Sequence, residues 1–380
     1  MPRGNPKLAV VIGPPGSRKR QEVVLFKKCP CFGTTLVLSS VEKPWIMESV
    51  EFAYAELVKL LPDFLAGFAV RKPYSPVSFV KLADLDKCLE DIDVINCIEL
   101  YSFISRQCAE IAREKDKRLV VSVFETIPSL LLHKVPPFSQ NVKKVLKQAD
   151  VFFAYSNMSA EYLRQLGAPE EKIKVIYPGV NMQRFYPQKE RNHENMRILF
   201  VGGFAGEKGL EILLKTFSRL HTDVPQVEVW VCAKPRGREE EILIRAFMRE
   251  YPLRAFGYVE HNEMPRMYRE CDLFCLPSFD KRKWGMRVWE EQFGFALVEA
   301  MASGLPVVAT DCGVVPEIVG SENGIVPQKS VEALYTALHK LVKDEDRRLY
   351  LAKVNRNRAE RLFNIEKQRV IMGNVLNELL

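Results

Sequence analysis

The 380-residue sequence predicts an α/β protein with two doubly wound parallel-sheet domains that face each other across a cleft. Short, continuously apolar segments rich in β-branched residues recur in both halves, and helical periodicity lies between several of them. This alternation is typical of parallel sheets whose two faces are covered by helices. At roughly 150 residues per domain, the length corresponds to two domains, so each half has enough chain for its own sheet.

The predicted strands follow one another in the same manner in each half. In the first half they cover residues 8–12, 94–98, 119–124, 151–154 and 174–176. In the second half the strands cover residues 197–201, 227–231, 273–276, 307–310 and 324–326. Phe103, Ala109 and Ile111 have helical spacing between two strands of the first half. Because parallel sheets bind ligands at the carboxyl ends of their strands, we expect the site where strand-to-helix turns of both halves converge.

A polar segment separates the two predicted sheets. Residues 186–195 contain no position that looks buried, so we interpret them as the linker between domains. We place the N-terminal domain at residues 1–187 and the C-terminal domain at residues 188–362. Residues 363–380 have a helical pattern, and we expect them to form a helix that packs back toward the N-terminal domain.

The net charge of +7 is unevenly distributed along the chain. Residues 1–200 contain 29 basic and 22 acidic residues, a difference of +7, whereas residues 201–380 contain 26 of each. A basic first half suits an anionic partner, such as a phosphorylated substrate or the inner face of a membrane contacted peripherally. A solvated face without a partner is the alternative. We expect no nucleic acid, because no recognition-helix signature or basic–aromatic platform is present.

The composition argues against several other classes of protein. No run of about 18 uncharged apolar residues occurs, so the sequence predicts no membrane-spanning helix. The first apolar run, residues 8–12, is broken at Gly13 and is too short for a signal peptide. The nine cysteines are scattered, so we expect free thiols and no disulfide framework. Together these observations predict a cytoplasmic protein.

Residues 291–311 carry the most informative pattern. Residues 295–303 are helix formers, and Gly294 precedes them without a side chain at the entrance. The first turn of such a helix attracts a phosphate through its N–H groups and its dipole. Glu291 and Glu299 flank this end, and carboxylates beside a phosphate site suit hydroxyl groups such as those of a nucleotide-sugar. The alternative is that Glu299 is an ordinary helix residue and that Glu291 complements the helix dipole.

With its Glu-x7-Glu spacing, this segment resembles the signature of the retaining, GT-B-fold nucleotide-sugar glycosyltransferases of family 4, also called group 1. Further motifs similar to those of the family occur in order along the chain, at residues 149–185, 198–209, 272–278, 311–319 and 363–366. The similarity is clear from about residue 149 onward and faint before it. The resemblance implies a GT-B-like fold, with a Rossmann-like acceptor-side domain followed by a Rossmann-like domain that binds the nucleotide-sugar.

The resemblance also implies roles for individual residues. Glu291 would bind hydroxyls of the donor sugar, Glu299 would bind the ribose hydroxyls, and Lys208 would neutralise the leaving diphosphate. A fixed cation at that place stabilises the negative charge that develops as the nucleoside diphosphate departs. The other predicted donor-binding positions are Gly16, Gly202, Gly203, Val259, Gly294, Phe295 and Ala296.

Two positions depart from the family pattern. Gly203 stands where the family commonly has an arginine, so one phosphate-binding cation is missing, and Arg18 is a candidate to replace it. Glu125 stands where the first domain often has a histidine near the donor sugar. We include Glu125 among the candidate catalytic residues, because a carboxylate there accepts a hydrogen bond from a sugar hydroxyl or serves as a base. The alternative is that Glu125 caps the turn that follows it.

The sequence therefore predicts a retaining glycosyltransferase that moves a hexose from a UDP- or GDP-sugar to an acceptor hydroxyl. The acceptor is expected to be a sugar or a lipid-linked molecule in the synthesis of a glycan, glycolipid or polysaccharide. The resemblance implies no obligatory metal or other cofactor besides the donor substrate. A sugar-nucleotide epimerase or phosphorylase of the same fold, and a non-catalytic nucleotide-sugar-binding module, are the alternatives.

Some weaker patterns remain open to two interpretations. The Asp-x-Asp sequences at residues 84–86 and 91–93 have a spacing that other transferases use for a metal, but solvated loop residues have it as well. Residues 280–289 combine a basic cluster with two tryptophans just before Glu291. This segment is either a specificity element for a phosphorylated sugar or a plain surface insertion.

Overall fold

The computed structural model describes residues 6–11, 33–39, 51–55, 57–59, 80–130, 133–188, 194–204, 206–235 and 237–380. Gly16 and Arg18 lie outside these described residues. The chain forms two compact units. The first consists of residues 1–178, 283–288 and 365–380, and the second consists of residues 179–282 and 289–364. The domain limits expected from the sequence remain predictions.

The first unit contains a seven-stranded sheet in which every neighbouring pair is parallel. Its strand order is β3-β2-β1-β6-β7-β8-β9. The strands are β1 (Lys7–Val11), β2 (Gly33–Ser39), β3 (Glu51–Ala55), β6 (Val94–Ile98), β7 (Arg118–Val123), β8 (Val151–Ala154) and β9 (Ile173–Val175). A separate antiparallel pair is formed by β4 (Leu57–Lys59) and β5 (Val80–Leu82).

Besides the helix formed by residues 365–377, four described helices lie in this unit, and serine caps begin two of them. The helices are α1 (Leu85–Cys88), α2 (Phe103–Glu114), α3 (Phe138–Gln148) and α4 (Asn157–Gln165). The side-chain oxygens of Ser102 and Ser156 accept hydrogen bonds from the first-turn amides of α2 and α4. Such caps satisfy N–H groups that have no partner inside the helix.

Alternation along the central strands buries side chains on both faces of the first sheet. Ala9 and Val11 belong to one apolar cluster, whereas Leu8 and Val10 belong to another. Successive side chains of a strand point to opposite faces, so the two clusters lie on the two sides of the sheet. This explains why these strands are continuously apolar in the sequence.

The helix α12 (Ile365–Asn377) completes the second of these clusters. Its residues Ile365, Met372 and Leu376 are buried together with Leu8 and Val10 of β1. The end of the chain therefore covers one face of the sheet with which the chain begins.

The second unit contains a six-stranded parallel sheet with the order β12-β11-β10-β13-β16-β17. The strands are β10 (Met196–Val201), β11 (Val227–Cys232), β12 (Leu253–Ala255), β13 (Leu273–Leu276), β16 (Val307–Thr310) and β17 (Gly324–Val326). The strand order reverses at β10, which has β11 on one side and β13 on the other. In open α/β sheets the loops that leave two such strands diverge and create a ligand-binding crevice.

Helices of the second unit follow its strands in the chain. They are α5 (Leu210–Asp223), α6 (Arg238–Glu250), α7 (Met264–Arg269), α8 (Phe295–Ala302), α9 (Val315–Val319), α10 (Val331–Lys343) and α11 (Glu345–Leu362). A two-stranded ribbon is formed by β14 (Lys281–Lys283) and β15 (Met286–Trp289). Among the described helices, none combines the length and the apolar composition that a bilayer crossing requires.

The predicted fold class, two parallel α/β sheets, is confirmed. The predicted strands of the second half agree with β10, β11, β13, β16 and β17 to within one residue at each end. The short strand β12 was not predicted from the sequence. It contains Arg254 between Leu253 and Ala255, and three residues give too short an apolar pattern to recognise.

We predict that α12 contributes strongly to the stability of the first unit. Met372→Ala should lower the free energy of unfolding by about 2–5 kcal/mol, because a fully buried side chain leaves a cavity. Ile371→Ala is the matched control, since Ile371 is 46% exposed, and it should change stability by less than about 0.5 kcal/mol. Chemical denaturation of both variants measures the difference. Equal effects would contradict the packing of α12 on this sheet.

Candidate active site

The candidate site lies at the carboxyl ends of β10 and β13, which are adjacent parallel strands. The segment after β10 leads through Gly202 and Gly203 to a 3-10 turn at Gly206–Lys208. The segment after β13 contains Pro277 and Ser278. Because the carboxyl ends of parallel strands meet at one edge of the sheet, the strand order itself brings Lys208 and Ser278 together.

A glycine allows the two segments to approach each other closely. Gly209 has φ +75°, and a Cβ atom built on it would lie 1.9 Å from the carbonyl oxygen of Pro277. The amide of Phe279 donates to the carbonyl of Glu207 at 2.8 Å, so the segments are also joined by a backbone hydrogen bond. A side chain at position 209 would separate them. The position of Lys208 therefore depends on this glycine.

Lys208 forms an ion pair with Glu291. Its Nζ lies 2.9 Å from Oε1 and 2.7 Å from Oε2 of the Glu291 carboxylate. The hydroxyl of Ser278 donates to the same Oε2 at 3.1 Å. Glu291 is only 5% exposed, so its charge requires these partners. Lys208 Nζ also lies 5.0 Å from the centroid of the Trp289 ring, in a cation–π arrangement.

The backbone of Glu291 is fixed by the loop that follows β16. Gly313 has φ +53°, and a Cβ atom there would lie 2.2 Å from the carbonyl oxygen of Glu291. That carbonyl accepts a hydrogen bond from the amide of Val314 at 3.0 Å. Both ends of the ion pair are thus positioned by close backbone contacts at a glycine.

Gly294 and the N terminus of α8 follow Glu291 directly. Gly294 has φ +75°, and a Cβ atom on it would lie 2.8 Å from Cδ1 of Leu297. Phe295 and Ala296 belong to the first turn, whose N–H groups have no acceptor within an α-helix. The predicted phosphate-binding end of the helix therefore lies three residues after the acidic member of the ion pair.

Glu299 is buried one turn inside α8 and is 3% exposed. The hydroxyl of Tyr268 donates to its Oε2 at 2.8 Å, and Nε2 of His261 lies 3.1 Å from its Oε1. Burial and, second, the charge of Glu299 raise the pKa of Tyr268 well above its usual value, so this side chain stays a neutral phenol and donates. The carboxylate of Glu299 is therefore held on both oxygens.

Three other predicted donor-binding residues, Gly202, Gly203 and Val259, lie on loops of the same unit. The amide of Gly202 donates to the carbonyl of Cys232 at 3.3 Å, and Gly203 is exposed. Val259 follows β12 in a loop that exposes the rings of Phe256 and Tyr258. Gly16 lies outside the described residues.

Glu125 belongs to the first unit, where it follows β7. Its Oε1 accepts hydrogen bonds from the amides of Thr126 and Ile127, both at 2.9 Å, and the residue is 4% exposed. This geometry corresponds to the turn-capping alternative. Glu99 accepts from the amides of Phe124 and Glu125 and so fixes the same turn. A contact of Glu125 with a substrate remains a prediction.

Three partners of the buried carboxylates were not among the predicted site residues. Ser278 lies in the motif at residues 272–278, so its position in the family pattern was a signal for it. Tyr268 lies in the short helix α7, and His261 lies in the loop before it. Neither has a local pattern that indicates Glu299, because the contact joins residues 31 and 38 positions apart in the chain.

The structure also shows the surroundings of the two Asp-x-Asp sequences and of the basic segment at residues 280–289. Asp84 forms an ion pair with Lys87 at 2.9 Å, and Asp93 accepts a hydrogen bond from the amide of Lys7. Within the described ranges, no group of three or more His, Cys, Asp or Glu residues is arranged to hold a metal ion.

At the turn between β14 and β15, Trp284 is 89% exposed. Trp284 and Gly285 both have positive φ, as in the type I′ turn of a tight hairpin.

Comparisons with known proteins agree with the resemblance seen in the sequence. The family described as "Glycosyl transferases group 1" matches residues 182–358, and the family described as "Glycosyltransferase Family 4" matches residues 48–184. Together the two matches extend over most of the chain. The predicted resemblance is confirmed.

Two curated relatives illustrate the similarity. A putative colanic acid biosynthesis glycosyltransferase, WcaL of Escherichia coli, is 28% identical over 62% of this chain and 57% of its own length. A D-inositol 3-phosphate glycosyltransferase of Corynebacterium kroppenstedtii is 29% identical over 51% of this chain and 46% of its own length. The chain thus spans about half the length of the curated relatives it matches.

Solved structures share the fold over almost the whole chain. Anabaena Alr3699/HepE, crystallised with UDP and glucose, superposes with a TM-score of 0.73 at 17% identity and covers 98% of this chain and 99% of its own. Sucrose-phosphate synthase of Thermosynechococcus elongatus superposes with a TM-score of 0.70 at 18% identity, with the same coverage. The GT-B fold implied by the sequence is confirmed.

We predict that Gly209 is required for the site to form. Gly209→Ala should lower the free energy of unfolding by about 2 kcal/mol or more, because its positive φ and the contact with Pro277 both oppose a Cβ atom. Gly206→Ala is the matched control three residues earlier, where a Cβ atom has no neighbour within 4 Å, and it should cost less than about 1 kcal/mol. Chemical denaturation compares the two variants. The prediction is wrong if they lose stability equally.

Proposed function

The chain belongs to the group 1 glycosyltransferases, and we propose that it transfers a hexose from a nucleoside diphosphate sugar to an acceptor hydroxyl. The single observation that supports this most strongly is the ion pair between Lys208 and Glu291 beside the N terminus of α8. A cation, an anion-binding helix end and a hydroxyl-binding carboxylate are the three groups that a nucleotide-sugar requires at its diphosphate and its sugar.

A UDP- or GDP-sugar is the proposed donor. The positive end of α8 and Lys208 suit its diphosphate, whereas Glu291 and Glu299 suit hydroxyl groups on either side of that diphosphate. The HepE structure, which shares this fold, was determined with UDP and glucose. The exposed rings of Phe256 and Tyr258 are proposed to flank the nucleobase.

The proposed reaction breaks the bond between the anomeric carbon and the diphosphate oxygen. The acceptor oxygen forms a new bond to the same carbon with retention of configuration, and its proton is transferred to the departing diphosphate. Lys208 and the first-turn amides of α8 stabilise the charge that develops on this leaving group. No metal ion is required in this proposal, because the fixed cation and the helix end supply the neutralising charge.

Donor binding is proposed to exchange the partners of the ion pair. In the structure Lys208 and Glu291 bind each other. The diphosphate offers Lys208 an anionic partner, and the sugar offers hydroxyl donors to Glu291. Each side chain then keeps a hydrogen-bonding partner, so neither buried charge is left unpaired at any stage.

The proposed acceptor is a sugar or a lipid-linked glycan. The relatives named for colanic acid and inositol phosphate chemistry support an acceptor of carbohydrate type. The excess of basic residues in positions 1–200 supports peripheral contact with an anionic membrane surface on the cytoplasmic side. These residues would place the enzyme close to a lipid-linked acceptor.

An epimerase or a non-catalytic binding module of the same fold is the alternative, and the exposed Gly203 in place of a cation is the observation that favours the binding module. Release of the nucleoside diphosphate separates these functions. A transferase releases it in amounts that depend on the acceptor. An epimerase converts the donor without an acceptor, and a binding module converts neither the donor nor the acceptor.

We predict that Glu291 is required for transfer. Glu291→Gln should lower kcat by about 100-fold or more, because the neutral amide loses the charge-assisted contacts with Lys208 and with sugar hydroxyls. Glu332→Gln is the control, since it removes an exposed carboxylate of the same unit. Initial rates of diphosphate release and circular dichroism are measured for both. A folded Glu291→Gln enzyme with unchanged kcat would refute the assignment.

We predict that Lys208 binds the diphosphate. Lys208→Ala should weaken the affinity for UDP or GDP by roughly 10- to 100-fold, because a charge-assisted hydrogen bond to phosphate is lost. Lys215→Ala is the control, since Lys215 is exposed on α5 only seven residues away. Calorimetric titration gives the dissociation constants. Equal affinities of the two variants would rule out this role for Lys208.

A further inference from the structure

We propose that His261 and Tyr268 are positioning residues that set the preference of the donor site for a ribonucleotide by fixing the carboxylate of Glu299. The proposal rests on the proposed function, in which Glu299 binds the ribose hydroxyls. It adds two residues for which the sequence pattern gave no role. They are identified by their contacts with Glu299, whose two carboxylate oxygens each have a separate donor.

The first donor, Tyr268, is completely buried. Its hydroxyl donates to Oε2 of Glu299 at 2.8 Å, and its side chain is fully buried. Its ring contacts the ring of Phe274 on β13, with centroids 6.0 Å apart. Tyr268 therefore anchors one oxygen of the carboxylate to the core of the second unit.

The second donor, His261, lies on the accessible side of the carboxylate. The side chain of His261 is 37% exposed, whereas that of Glu299 is 4% exposed. Because a carboxylate only accepts hydrogen bonds, Nε2 of His261 carries the proton in this contact. A ligand hydroxyl that approaches Oε1 of Glu299 does so beside the imidazole, since Nε2 of His261 lies 3.1 Å from that oxygen.

The backbone and the ring of His261 both have contacts with a neighbouring segment. The guanidinium of Arg184 donates to the backbone carbonyl of His261 at 3.1 Å. The ring of Phe185 lies 5.8 Å from the ring of His261 and 5.8 Å from that of Tyr268. The two donors thus share one aromatic support, which fixes their relative orientation.

This arrangement has a consequence for specificity. A carboxylate held on both oxygens keeps one orientation, and its remaining lone pairs point in fixed directions. A site built to bind a hydroxyl rejects an analogue that lacks it, because the buried acceptor is then left without a donor. When Glu299 can turn away, this penalty falls, and a deoxyribose binds almost as well as a ribose.

The test compares ribonucleotides with deoxyribonucleotides. The probe is UDP or GDP, whichever binds the wild-type protein more tightly, together with its 2′-deoxy and 3′-deoxy analogues. The measured quantity is the ratio of the dissociation constants of the deoxy analogue and the ribonucleotide, obtained by calorimetric titration. A ratio separates recognition of the hydroxyl from a general loss of binding.

For the wild-type protein, this ratio should be about 10 or more for at least one of the two deoxy analogues. His261→Ala and Tyr268→Phe should each reduce this ratio to about 3 or less, since each removes one donor from Glu299. His261→Gln should restore most of the preference, because its amide is again an N–H donor. His339→Ala is the matched control, since His339 lies on α10, where it stacks on Tyr335, and it should leave the ratio unchanged.

The outcomes that overturn the proposal are distinct. If the wild-type protein binds neither UDP nor GDP, the proposed function fails and this proposal fails with it. If the wild-type protein binds the ribonucleotide and its deoxy analogues equally, the ribose role of Glu299 is wrong, although a glycosyltransferase activity is not affected. If His261→Ala weakens the ribonucleotide and the deoxy analogue by the same factor, His261 has only a structural role.

Discussion

The buried ion pair between Lys208 and Glu291 is the interaction on which the rest of the site depends. A carboxylate that is almost completely buried must be paired, since an isolated charge in the interior costs several kcal/mol. The close backbone approach at Gly209 positions Lys208, and the one at Gly313 positions the backbone of Glu291. The geometry of the pair is therefore a product of the strand order, in which β10 and β13 are neighbours, and of two positions where no side chain fits.

Glu291 and Glu299 are both buried in the second unit, and they have partners of different kinds. Glu291 is paired with a cation that a diphosphate can also attract, whereas Glu299 is held by the hydroxyl of Tyr268 and the imidazole of His261. Lys208 can exchange the carboxylate of Glu291 for another anion, such as a diphosphate, whereas Glu299 keeps its hydroxyl and imidazole donors. This difference fits a donor site in which Glu291 takes part in the chemistry and Glu299 recognises a part of the substrate that does not change.

Much of this arrangement could be predicted from the sequence, because it is carried by local patterns. Buried parallel strands appear as short apolar runs, and Gly294 before a run of helix formers indicated where α8 begins. The pairing of Lys208 with Glu291 could not be predicted, since it joins residues 83 positions apart through a strand order that the sequence does not display. His261 was missed for a similar reason, and the capping role of Glu125 was only one of two alternatives.

Whether a diphosphate separates Lys208 from Glu291 can be seen in a crystal structure of the wild-type protein with bound UDP or GDP. We expect Nζ of Lys208 to lie within hydrogen-bonding distance of a phosphate oxygen and to have left at least one oxygen of Glu291. The diphosphate should lie against the first turn of α8. An intact pair between Lys208 and Glu291, with the diphosphate bound elsewhere, would contradict the proposed exchange of partners.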